Sequence, residues 1–351
     1  MSNRFEQLLS QKDVLLADGA TGTNLFSLGL VSGDSPEFWN VDHPDRVAQH
    51  YQSFIDAGSD IVLTNTFGGS RYRLKLHDGE DRVNELNAAG ARVLRELADA
   101  SERTVIVAGS MGPTGEILEP AGNTSIADAA DAFAEQAQAL EQGGADCLWI
   151  ETLSSVEEVQ AAVQGASTTN LPIVVTMSID TNGRTMMGVT AADIVGFGDT
   201  LTKAPTAFGT NCGLGAAEVI AAIVNMSIQL DQKEGEAVLI AKGNCGIPQW
   251  NDGEIYYSGT PELMSQYATM AMDAGARIIG GCCGTTPKHV AAMRHAIDNH
   301  AKGERPSIDA IEDLLGEVSS GAKAQMRGDL SVAGGSVSGG RNRSQRRRRR
   351  N

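Results

Sequence analysis

The chain has 351 residues, 41% hydrophobic and 21% charged, with 44 acidic against 28 basic side chains and a net charge of −16. This is the balance of a soluble globular protein with a large core, and so acidic a surface disfavours nucleic acid. No apolar run approaches membrane-spanning length and no export segment opens the chain; five cysteines without framework spacing point to a reducing cytoplasm.

Eight short apolar runs follow one another at residues 14–18, 61–65, 105–109, 147–151, 173–177, 206–210, 238–242 and 277–280. Between them lie amphipathic, often alanine-rich stretches, for example 44–57, 82–98, 126–142 and 261–274. Continuous apolar strands alternating with such helices predict parallel strands covered by helices. Eight units in about 300 residues predict an α/β fold, a single (β/α)8 TIM barrel spanning residues 1–302. Three similar turns, at Gly58, Gly144 and Gly275, read as helix-capping glycines that lead into strands. Residues 303–318 predict one further helical extension. Residues 319–351 turn to Gly, Ser, Ala and Arg and predict a disordered tail. Residues 341–351 hold seven arginines and no acid, so the remainder of the chain stands at −23. Such a tail is a solvated segment or a polyanion-binding one.

Barrel active sites lie at the C-terminal ends of the strands. Reading off those ends gives Asp18-Gly19-Ala20-Thr21, Thr64-Asn65-Thr66, Glu151-Thr152, Asn211-Cys212-Gly213, Gly243-Asn244-Cys245 and Gly281-Cys282-Cys283-Gly284. Vicinal cysteines pair with each other only under strain, so Cys282 and Cys283 suit a shared soft metal. With Cys212 they offer three thiolates and leave a fourth tetrahedral position open, which predicts catalytic Zn2+. None of the six histidines falls at a strand end, which argues against zinc hydrolase chemistry. Asp18 and Glu151 are placed to accept an ammonium group, and the glycine-rich loop Gly19, Ala20, Thr21 can offer N–H groups to a carboxylate. Together these describe a site for an amino-acid zwitterion.

The motifs Asp18-Gly19-Ala20-Thr21-Gly22-Thr23, Thr64-Asn65-Thr66-Phe67, Gly109-Ser110-Met111-Gly112-Pro113, Asn211-Cys212-Gly213 and Gly280-Gly281-Cys282-Cys283-Gly284-Thr285 resemble the homocysteine S-methyltransferase family over roughly residues 10–300. Residues 34–40 and 184–190 and the arginine-rich tail are most similar to its bacterial betaine–homocysteine members. The resemblance implies that Cys212, Cys282 and Cys283 bind zinc and that Asp18, Glu151 and the backbone of residues 19–21 hold homocysteine. It implies an enzyme that methylates homocysteine to methionine, with betaine as donor and dimethylglycine as second product. Animal betaine enzymes have a tyrosine that fills the open zinc position; no strand-end tyrosine matches it here, which leaves the resting fourth ligand open.

A trimethylammonium donor wants an aromatic wall. Trp39, Tyr72, Trp250, Tyr256 and Tyr257 are the loop aromatics available. Trp39 and Tyr72, with Asn65, are the expected donor pocket. S-methylmethionine, dimethylsulfoniopropionate or a corrinoid or folate donor are alternatives with the same acceptor chemistry. A non-catalytic zinc and homocysteine sensor is the alternative from another class. The sequence is compatible with a homo-oligomer and specifies none.

Overall fold

The computed structural model describes residues 3–180, 182–198, 200–233, 237–246, 248–251 and 254–329. The strands are β1 Leu15–Leu16, β2 Ile61–Leu63, β3 Ile106–Met111, β4 Cys147–Leu153, β5 Ile173–Met177, β6 Ala207–Cys212, β7 Leu239–Gly243, β8 Pro248–Asn251, β9 Glu254–Tyr257 and β10 Ala276–Gly281. Eight of them pair in parallel in the order β1-β10-β7-β6-β5-β4-β3-β2, and a parallel bridge from Ala17 to Ile61 joins the two ends. The expected TIM barrel is therefore present, with every predicted strand in place. β8 and β9 form an antiparallel hairpin that follows β7 and precedes the helix Pro261–Ala274.

Local chemistry explains the boundaries. Ser125, Ser155, Thr190 and Thr260 each accept a backbone N–H in the first turn of the helix that follows, and Pro261 and Pro287 open their helices where no N–H is needed. Gly58, Gly144 and Gly275 adopt φ of 99°, 98° and 104°, the left-handed turn expected of them.

Two apolar layers result. The inner one fills the barrel with alternate strand residues such as Ile61, Ile106, Trp149, Val174, Ile240 and Ile278. Phe5, Leu8 and Leu9 of the helix Arg4–Gln11 belong to that same layer, so this helix closes the barrel at one end. Arg277 ties it down by donating to the carbonyls of Leu9 and Lys12 at 2.7 and 3.0 Å. The outer layer packs the helices against the strands. Among the described residues no helix is long and apolar enough to cross a membrane.

One boundary needs correction. Residues from 319 onward were expected to be disordered, yet Ser320–Met326 is a helix. Gly321 N–H donates to Asn182 Oδ1 at 2.6 Å, Gln325 Nε2 to Gly183 O at 2.8 Å, and Ser319 N–H to Glu218. The small residues Gly321 and Ala322 let the segment approach this surface closely, and the same composition suggested disorder. The remainder of the expected tail, residues 330–351, lies outside the described residues.

His50 gives a pH test of the fold. Its ring is buried against Tyr51 and Phe54, and burial lowers its pKa to about 4 from an ordinary 6.5. As pH falls below 6.5, the unfolded chain takes up a proton that the folded chain refuses, so stability falls until the folded pKa is reached. The expected loss from this group between neutral pH and pH 4 is about 3 kcal/mol. Urea titrations of wild type and His50→Phe across that range measure it; equal slopes for the two proteins would refute the assignment.

Candidate active site

A cavity of about 330 Å³ opens at the C-terminal ends of the strands. Its wall includes Cys212 at the end of β6 and Cys282 and Cys283 just after β10. The three thiol sulfurs lie within 4.8 Å of one another, and Cys212 Sγ stands 4.0 Å from Cys283 Sγ. Among the described residues, no other group of three His, Cys, Asp or Glu side chains is so placed. Cys147 and Cys245 are buried apart from it.

Two asparagines knit these loops together. Asn211 accepts from Thr152 N–H at 3.0 Å and donates to Thr152 Oγ1 at 2.7 Å, tying β6 to the end of β4. Asn244 accepts from Cys283 N–H at 3.0 Å and donates to Gly213 O at 2.8 Å, tying β7 to both cysteine loops. Thr152 and Cys212 are held at φ of 65° and 61°, a left-handed backbone that costs energy in a residue with a Cβ. The two amides hold that geometry. Asn211 sits in one of the sequence motifs and Asn244 at a strand end, but nothing in their spacing assigns them this task.

Crowding three thiols disfavours their ionisation. Hydrogen bonding with Cys282 lowers the Cys212 pKa, but hydrogen bonding with Cys283 and burial outweigh it and push it up to about 11. Cys283 gains from its bond with Cys212 but is pushed up to about 12 by Cys282 and burial. A cation between the sulfurs removes that obstacle, and a set of three soft ligands fits zinc.

The polar floor comes from β1, β3, β4 and β7. Glu151 is 7% exposed, lines the cavity and accepts from Ser110 Oγ at 2.5 Å. Burial raises its pKa, partly offset by Lys242 and Ser110. Asp18 lies deeper, fully buried; its Oδ2 accepts from Leu63 N–H at 2.7 Å and its Oδ1 from Lys242 Nζ at 2.9 Å. Lys242 is an inward-facing lysine that motif reading overlooks, although a charge at the end of the apolar run 238–242 is its signature. Burial opposes its charge, but Asp18, Glu151 and Cys282 more than offset it and hold the ammonium above its usual pKa. Gly19, Ala20 and Thr21 border the cavity as expected, and the Ala20 N–H donates to Thr285 O at 3.0 Å.

Residues 15–297 match the sequence model of the family described as homocysteine S-methyltransferase. The chain belongs to that family. It is 30% identical over 331 residues to methionine synthase of Mycobacterium tuberculosis and 29% identical over 316 residues to that of Mycobacterium leprae. These alignments cover 87% and 86% of the chain but only 26% of each relative, so the chain spans about a quarter of their length. The fold is similar to that of the metallated homocysteine methyltransferase MmuM of Escherichia coli, with TM-score 0.69 and 23% identity over 84% of this chain and 99% of that one.

The mouth of this family member differs from expectation. Trp39 is buried, with the Arg46 guanidinium 5.0 Å from its ring, and takes no part in the cavity wall. Tyr72 sits on the short helix Arg71–Leu74 in the field of Asp128, Glu116 and Asp131, also off the wall. Asn65 does line it, with its amide donating to Pro36 O at 2.7 Å. The aromatics at the cavity are instead Phe26 and Phe67, 49% and 38% exposed. Trp39 falls on the inner side of the turn Trp39–Asp42, whose Asn40 bonds to the carbonyls of Asn65 and Leu86, and so it faces protein. The side chains of Trp250 and Tyr256 lie outside the described residues. Tyr257, at the end of β9, packs so closely on Gly284 that a Cβ there would come within 2.3 Å of Tyr257 Cγ. Its phenol interacts with the Cys283 thiol. It reaches the cysteines from the hairpin, which is why the ends of the barrel strands alone do not reveal it.

Proposed function

We propose that the chain transfers a methyl group from betaine to homocysteine, giving methionine and dimethylglycine, with zinc held by Cys212, Cys282 and Cys283. The observation that carries this reading is the meeting of three thiols within 4.8 Å on the wall of the cavity that also contains Glu151. The family match and the relatives at 30% and 29% identity, both methionine synthases, support the acceptor.

A bound zinc ion supplies one thing, a lowered pKa for a substrate thiol, so that sulfur is presented as the thiolate nucleophile. The protein's own groups do the rest by placement. Glu151 accepts the substrate ammonium beside the thiol cluster. Asn211 and Asn244 keep the cysteine loops at fixed separation. Phe26 and Phe67 present aromatic faces to a cationic donor and keep water from the reacting sulfur. In the transfer, the donor's N–CH3 bond breaks, its electron pair stays on nitrogen, and a new S–CH3 bond forms. No proton moves at carbon, so no general base is required there.

The test is kcat/KM for methionine formation across betaine, S-methylmethionine, dimethylsulfoniopropionate and a methylcorrinoid. Betaine is expected to lead once each donor is divided by its uncatalysed reactivity. Phe67→Leu should raise the betaine KM several-fold, reflecting a cation–π term of about 0.5–2 kcal/mol. A corrected preference for a sulfonium or corrinoid donor moves the donor assignment and leaves the acceptor intact. Tight homocysteine binding without turnover on any donor would instead make the chain a sensor.

A further inference from the structure

We propose that Glu37 is the counter-charge for the positive head of the methyl donor, a specificity-determining residue that admits onium donors, ammonium or sulfonium, ahead of neutral ones. The inference rests on the onium-donor reading above and names the group that senses the donor's charge.

Glu37 belongs to the short turn Pro36–Phe38, in the segment between β1 and β2. It is 3% exposed, yet it lines the cavity together with Phe26 and Phe67. Its Oε1 accepts from Gly68 N–H at 2.6 Å and its Oε2 from Ser35 Oγ at 2.5 Å. Both donors are neutral, and among the described residues no Lys, Arg or His side chain pairs with this carboxylate. The two deeper acids differ. Asp18 is ion-paired with Lys242 at 2.9 Å, and Glu151 lies in the field of the same ammonium. Glu37 thus brings to the cavity a buried charge with no cation of its own. Such a charge is costly to bury, and an arriving cation relieves the cost.

The local packing narrows the kind of cation. A Cβ on Gly68 would come within 2.9 Å of Glu37 Oε1, so the carboxylate reaches that amide because residue 68 is a glycine. Phe67 precedes it, and one short stretch therefore brings an aromatic face and a carboxylate to the same mouth. Both oxygens are already engaged by an amide and a hydroxyl. A group rich in N–H donors would compete with them. A methylated onium head has no N–H to give and is held by charge and by aromatic faces, so it leaves both bonds intact. The charge also decides which kinetic constant is touched. As the methyl group leaves, the onium centre becomes neutral and keeps its electron pair. Its attraction to Glu37 is strongest before transfer and gone after it. Glu37 therefore tightens donor binding without speeding transfer, and it loses its hold on the demethylated product.

Competition kinetics on the zinc-loaded full chain test this with betaine and 3,3-dimethylbutanoate, which has the same shape but a neutral tert-butyl head. Wild type should hold betaine at least about tenfold more tightly than the neutral isostere. Glu37→Gln keeps an oxygen for Gly68 N–H and a polar partner for Ser35, so the turn stays built while the charge goes. It should raise the betaine KM about tenfold and leave the inhibition constant of 3,3-dimethylbutanoate within about twofold. Neither kcat nor homocysteine affinity should fall. A merely structural Glu37 would weaken both ligands alike and lower kcat by displacing Phe67. That pattern, or an unchanged betaine KM, would overturn the proposal. S-methylmethionine and trimethylsulfonium are run in parallel. If they bind in place of betaine and are weakened by Glu37→Gln while the neutral isostere is not, Glu37 keeps its role and the betaine assignment alone falls. If wild type takes no onium compound at all, the donor reading falls and Glu37 with it.

Discussion

Alanine at Cys212, Cys282 or Cys283 is expected to abolish methyl transfer and strip the protein of zinc, and Cys245→Ala to change neither. The wild-type chain should carry about one zinc, as a three-thiolate site implies. Residues that merely support metal ligands cost about 10–100-fold when removed, so loss of a ligand should exceed roughly 100-fold. Asn211→Ala and Asn244→Ala supply the intermediate case, because each leaves three sulfurs but frees the loops that hold them. Zinc content by mass spectrometry, turnover and thermal midpoints measured together separate loss of metal from loss of fold. A Cys282→Ala, Cys283→Ala double variant with full zinc occupancy and activity would dismiss the cluster as the metal site.

Glu151→Gln is expected to keep its zinc and lose homocysteine. Removing a charge-assisted acceptor costs about 1.5–3 kcal/mol, or roughly tenfold to more than a hundredfold in affinity. The pH dependence carries a second signature. Burial raises the Glu151 pKa, so its carboxylate is neutralised at a higher pH than that of an exposed glutamate. Homocysteine affinity in wild type should therefore weaken on acidification as that proton is taken up, and Glu151→Gln should lack this component. Identical affinities and pH profiles in the two proteins would mean that the substrate ammonium is held elsewhere.

The barrel was legible in the sequence because its strands are buried on both faces. Runs such as Ile173–Met177 are continuously apolar, and the glycine turns recur where helices hand over to strands. The cysteines were legible because the chemistry of three soft ligands at strand ends is narrow. What escaped was decided by side-chain direction and by long-range contact. Trp39 and Tyr72 occupy the right loops but turn away from the cavity, while Phe26 and Phe67 turn toward it. Lys242 looked like the polar end of a strand, and its meaning lies in Asp18, 224 positions away. Ser320–Met326 is written in residues that score as linker, and it is ordered by Asn182 and Gly183 on a distant loop.

The seal formed by Phe5, Leu8 and Leu9 has a bearing on traffic. With the far end of the barrel filled, the described residues leave the thiols an approach past the loops that carry Phe26 and Phe67, and a departure by the same route. A vessel with one doorway imposes a sequence on its visitors. On the proposed function, the reactant seated against Glu151 is expected to arrive before the one that rests at the aromatic rim, and the product formed deepest to depart last. A donor in large excess would then act as a stopper, slowing turnover by occupying the doorway ahead of the acceptor.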